Sequence, residues 1–117
     1  MVRYRWGLIF ALSLLPAVAF AQQFSPQYTH TDRSGTITLG GTQQTLMAAN
    51  SQRRGCVVQN LSTGDLWISE LTTAVASQPS IKVPAGAEYT CSVNGIPTGA
   101  LSIIGATTSQ AFAAREW

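Results

Sequence analysis

Residues 53–69 read RRGCVVQNLSTGDLWIS. Two short runs rich in β-branched and aromatic residues, Cys56–Gln59 and Asp65–Ser69, flank a segment of turn formers from Asn60 to Gly64. Strand, turn and strand in that order predict an antiparallel hairpin. The leading question is whether Cys56 does chemistry there or holds a strand. Val57 and Val58 beside it favour a buried strand, and Arg53 and Arg54 are expected in solvent at the strand entrance.

The same pattern repeats outward from this stretch. Thr36–Leu39 alternates polar and apolar residues and stops at Gly40-Gly41. Thr45–Met47 is a weaker strand, and Ser80–Val83 ends at Pro84-Ala85-Gly86. Glu88–Val93 alternates and meets Asn94-Gly95, a tight-turn pair. Leu101–Ile104 and Ala111–Ala114 complete the set. About seven or eight short strands with turn signals between them predict an all-β chain, a single antiparallel sandwich or small barrel. Residues 70–78, ELTTAVASQ, read as a long loop, and no segment after residue 21 sustains a helical period.

The first residues follow a different logic. Arg3 and Arg5 precede the apolar run GLIFALSLLPAVAF, and Ala19-Phe20-Ala21 supplies a small-x-small cleavage pattern. This is the order of a secretory signal peptide, residues 1–21. The run is short for a bilayer span and Pro16 interrupts it. A leader left uncleaved would make a membrane anchor instead. Residues 22–34, QQFSPQYTHTDRS, are polar and aperiodic and read as an irregular N-terminal arm, so the folded domain is expected at 35–117.

Charge and cysteine content narrow the function classes. The whole chain carries 7 basic and 5 acidic residues. Removing the leader removes Arg3 and Arg5. Arg33, Arg53, Arg54, Lys82 and Arg115 then balance Asp32, Asp65, Glu70, Glu88 and Glu116. A neutral domain lacks the basic field that nucleic-acid binding needs. The 2 cysteines, Cys56 and Cys91, allow one intramolecular pairing, and in an exported chain a disulfide is the default. It would close a loop of about 35 residues and stabilise the fold by about 4 kcal/mol on the chain-entropy model.

No catalytic constellation stands out. A cysteine nucleophile needs a base, and His30, the chain's 1 histidine, lies in the arm. Neither a CxxC nor an HxxxH spacing offers a metal site, and no cofactor motif is present. The acids are scattered singly, with Glu70 and Glu88 read as solvated strand-edge residues. His30 beside Asp32 resembles a fragment of a catalytic dyad and sustains an alternative reading as a periplasmic enzyme or enzyme inhibitor. Asn60-Leu61-Ser62 fits the N-glycosylation triplet and equally a plain turn.

Trp67 is the leading binding residue, with Tyr89 as its companion on a candidate binding face. If Leu66 and Ile68 fill the core, Trp67 faces outward, where a tryptophan marks a sugar platform or a protein interface. If Trp67 is the core residue, its neighbours lie under a loop. Trp117 is expected to cap the sandwich edge or to pack on a neighbouring copy.

Three segments in order, TLMAANSQRRGCVVQNLSTGDLWIS, SIKVPAGAEYTC and LSIIGATTSQAFAAREW, resemble small β-sandwich modules of tailed-phage and prophage virion proteins. These include decoration, head-fibre and tail-associated modules. The resemblance covers residues 36–117. It implies a non-enzymatic module that binds or assembles through its sheet faces and edges, often as a trimer, and it carries no catalytic residue across. The leader departs from that pattern, because virion proteins are assembled without export. The resulting expectation is a secreted or periplasmic binding module that attaches to a protein or glycan surface, with possible homo-oligomerisation. A membrane is involved only if the leader stays attached.

Overall fold

The computed structural model describes residues 27–91 and 95–117. The expected signal peptide, residues 92–93 of the strand expected to follow Glu88, and Asn94 of the Asn94-Gly95 turn lie outside the described residues. Among the described residues the chain is all-β, in two antiparallel sheets. The first contains β1 (Thr31–Asp32), β2 (Gly35–Thr36), β4 (Cys56–Asn60), β7 (Glu88–Thr90) and β9 (Ala111–Glu116). Its order is β1-β9-β4-β7, with β2 also on β9. The second contains β3 (Gln44–Met47), β5 (Leu66–Ser69), β6 (Ile81–Val83) and β8 (Leu101–Gly105), in the order β3-β8-β5-β6.

Side-chain alternation explains why two sheets close on one core. Val58 of β4, Phe112 and Ala114 of β9 and Tyr89 of β7 point to one side of the first sheet. Leu66 and Ile68 of β5, Leu101 and Ile103 of β8 and Val83 of β6 do the same in the second. Together with Ile37 and Met47 they form a single apolar cluster, a sandwich-like arrangement. Each fully buried aliphatic side chain of this kind stabilises by about 1.5–3 kcal/mol. In β3 the register shifts between Thr45 and Met47, so Leu46 and Met47 are both buried although they are consecutive.

The expected hairpin across Asn60–Gly64 does not form. β4 pairs with β9 and β7 in the first sheet, whereas β5 pairs with β6 and β8 in the second. Both strands therefore sit inside their sheets with both edges occupied, and the turn between them is an arch from one sheet to the other. Asn60 ties that arch. Its Nδ2 donates to the carbonyls of Gly64 (2.7 Å) and Val83 (2.8 Å), and its Oδ1 accepts from the Ser62 amide (2.9 Å) and hydroxyl (2.7 Å). The amide of the glycosylation triplet is thus fully enclosed and spoken for.

The domain also starts earlier than expected. Residues 31–34 lie along β9 instead of forming an irregular arm. Thr31 and Asp32 pair with Glu116 and Arg115, the Arg33 amide donates to the Ala114 carbonyl, and the Ser34 hydroxyl accepts from the Ala114 amide. An uncovered β9 would present a bare edge, and these residues cover it. The loop expected at 70–78 forms and runs on to residue 80, so the strand expected from Ser80 begins at Ile81. Ser69 Oγ accepts from the amides of Leu71 and Thr72, Ser102 Oγ from Ala74, and Ser80 Oγ from Val75.

Cys56 and Cys91 are joined as a disulfide with their Cα atoms 5.1 Å apart. It links β4 to the residue that follows β7, where the Cys91 amide also donates to the Cys56 carbonyl. Both cysteines are buried. The bond fits an oxidising compartment.

Candidate binding face

Leu66 and Ile68 are fully buried, so the intervening Trp67 faces away from the core and is only half-buried. The second sheet fixes its surroundings. Lys82 of β6 lies directly across on one side and Ile104 of β8 on the other. The Lys82 ammonium stands 6.0 Å from the centre of the indole ring and 2.9 Å from Asp65 Oδ2. Lys82 and Asp65 are 48% and 45% exposed, so this ion pair contributes at most about 1 kcal/mol and is easily displaced. Ile81, across from inward-facing Ile68 and so on the other side of β6 from Lys82, is exposed at the sheet edge, and the loop that follows β5 presents Leu71 at 80% exposure.

Tyr89 does not join this face. It belongs to the other sheet, is 7% exposed and lies in the apolar cluster. Its hydroxyl is buried and has no hydrogen-bond partner among the described residues. The alternation of Glu88–Thr90 leaves Glu88 and Thr90 outside and turns Tyr89 in, because β7 must fill the gap over β4.

Arg53 corrects a second expectation. Instead of standing in solvent it is 4% exposed. Its Nε donates to Glu116 Oε2 at 2.6 Å, and its remaining donors reach the carbonyls of Ala48, Pro97 and Gly99. Arg33 donates to the other Glu116 oxygen at 2.9 and 2.6 Å. Burial alone would push the Glu116 carboxyl up, but hydrogen bonds and charge from Arg53 and Arg33 outweigh it and hold the carboxyl below its ordinary value. The trio ties the arm, the β3–β4 loop and the β7–β8 loop to β9, and is structural. Arg54 is exposed as expected. A parity argument could have found Glu116, since it shares the inward alternation of Phe112 and Ala114.

Trp117 caps the end of the first sheet. Its amide donates to the Gly55 carbonyl at 3.1 Å, and its main-chain oxygen accepts from the Arg54 and Gly55 amides. The indole lies so close over Gly55 that a Cβ there would meet it at 2.4 Å. The His30 ring packs on the same indole, with centroids 5.0 Å apart. His30 and Asp32 come to one shallow depression on the first sheet, but no hydrogen bond between them exists among the described residues. Neither cysteine is free, and the described residues contain no cluster of three or more His, Cys, Asp or Glu that could hold a metal.

No family model, curated protein or solved structure matches the chain.

Proposed function

We propose that the protein is an exported, non-enzymatic β-sandwich module that attaches to a protein or glycan surface through the outer face of its second sheet. In this reading the leader is removed after Ala21 and the domain works in the periplasm or outside the cell. Its role parallels the surface-attached modules of tailed-phage virions that the sequence resembles. The observation that carries the reading is Trp67, held outward by two fully buried neighbours and flanked by Ile104 and the displaceable Lys82–Asp65 pair. A large amphipathic ring with an apolar neighbour and a cation beside it suits contact with a sugar ring or a partner side chain. The ordered loop that presents Leu71 extends the apolar surface available to a partner.

The test uses wild-type protein and Trp67→Ala on two supports, an array of immobilised bacterial glycans and an immobilised cell-envelope fraction. The wild type is expected to bind one of them, and W67A to lose at least about tenfold in affinity, as expected for an interface tryptophan. Equal binding by both proteins would remove Trp67 from the contact. Sedimentation velocity on the same samples reads self-association, which the trimeric phage modules lead one to expect.

A further inference from the structure

We propose that the outer face of the first sheet holds a second, independent site, which takes a basic amino acid. A depression of about 420 Å3 opens there, in the size range of small-ligand sites. Val57 and Ala113, both half-buried, lie at its floor, and Asp32, Arg115 and Glu88 are among the residues that line it. Strand register sets out the charges in a definite order. Asp32 of β1 lies directly across from Arg115 of β9, and Arg115 lies across from Val57 of β4. One step along, Ala113 lies across from Gln59, and Gln59 from Glu88 of β7. A cation and an anion therefore stand together on one side, a second anion stands two strands away, and apolar side chains occupy the space between.

Arg115 and Glu88 are spare charges. Among the described residues neither takes part in an ion pair, whereas Arg33, Arg53 and Lys82 all do. The Ser34 amide donates to Asp32 Oδ1 at 2.9 Å, and hydrogen bonding from Ser34 lowers the Asp32 carboxyl from its ordinary value. The site thus presents one positive and two negative groups. Its complement has one carboxylate and two cationic groups joined by an apolar chain. In lysine the α-carboxylate meets Arg115, the α-ammonium meets Asp32, and the methylene chain crosses Val57 and Ala113 to bring the ε-ammonium to Glu88. Adjacent strands are about 4.8 Å apart, so Arg115 and Glu88 start from backbones about 10 Å apart across the sheet. Their side chains and an extended lysine cover that span. Among the described residues the depression contains no aromatic ring other than His30, which argues against a sugar-stacking site.

The experiment is an amide-shift titration of isotope-labelled protein with L-lysine, alongside norleucine, which lacks the ε-ammonium, and cadaverine, which lacks the carboxylate. Lysine is expected to shift the amides of Val57, Glu88, Ala113 and Arg115 in a saturable way, with both analogues at least about tenfold weaker, since each loses a charge-assisted contact. Glu88→Gln should weaken lysine by about tenfold and leave norleucine unchanged, and Arg115→Gln should weaken both. Both residues are exposed, and the same spectra report whether each variant is folded. Absence of saturable shifts up to about 10 mM lysine overturns the proposal, as do equal responses to all three compounds. Trp67→Ala should leave the lysine response intact, so the two sites fail or stand separately.

Discussion

At the residue scale, one polar group inside an apolar alternation governs much of this molecule. Glu116 occupies an inward position on β9, where an ionised carboxylate is tolerable only if paired. Arg53 and Arg33 supply the pairing, and Arg53 satisfies its remaining donors on three carbonyls. Replacing Glu116 with glutamine leaves Arg53 buried without a counter-charge, and a loss of about 3–5 kcal/mol in urea unfolding is expected. Tyr89 is the opposite case. Its hydroxyl is buried and unpartnered, so Tyr89→Phe removes a desolvation penalty and no hydrogen bond. Its midpoint in urea should stay level or rise by the equivalent of up to about 1 kcal/mol, and a clear fall would mean the hydroxyl has a partner. The sequence displayed the cue for Glu116, in the alternation Phe112, Ala114, Glu116, but not its partner. Arg53 lies 63 positions away, and nothing local tells a buried guanidinium from a solvated one. Nothing local marks Tyr89 as buried, because an aromatic on an edge strand can face either way until the opposing sheet is known.

At the element scale, strand existence was legible and strand pairing was not. Runs such as Cys56–Gln59, Leu101–Ile104 and Ala111–Ala114 show β-branched or alternating composition, and turn residues separate them. Pairing depends on which edges are already occupied. Among the described residues β5 and β6 are the only strands consecutive in sequence that hydrogen-bond to each other; the remaining pairs join strands distant along the chain. A short polar turn therefore reads as a hairpin whether it reverses the chain within one sheet or arches between two. The N-terminal arm hides its strand for a related reason. Thr31–Asp32 has no apolar pattern, and it becomes a strand only because β9 offers an edge. The disulfide is the element-scale staple. It fixes β7 to β4 where β7 has no other strand beside it among the described residues, and the double replacement Cys56→Ala with Cys91→Ala should lower stability by about 4 kcal/mol. Calorimetry of the oxidised protein and the double variant measures this directly.

For the whole molecule, acid stability follows from the ion trio. The Glu116 carboxyl is held below its ordinary value of 4.5 in the folded state. Its contribution is therefore complete above that value and is lost as pH falls through the lower, folded-state one. Glu70 acts in the other direction, because burial raises its carboxyl and a falling pH relieves that penalty. Glu116 is buried with Arg53 and paired on both oxygens, so the net trend should be a declining melting temperature below about pH 4. Glu116→Gln should flatten that decline, and an unchanged profile would deny the trio its role.

The two outer faces differ in chemistry, one with Trp67 and Ile104 and the other with spare charges over small residues. This supports a protein that works through its faces, with the interior committed to stability. In the proposed function Trp67 serves contact and not the core, and melting temperature and binding of Trp67→Ala, measured on one sample, separate the two roles. An outward tryptophan on a strand contributes about 1 kcal/mol to stability through its cross-strand neighbours, or a fall of about 4–8 °C in a domain this size. A contact role predicts a fall no larger than that together with loss of binding to the support the wild type recognises. A core tryptophan would remove about 3–5 kcal/mol and drop the melting temperature by more than about 12 °C. That drop, or binding that survives the substitution, would exclude a contact role for Trp67.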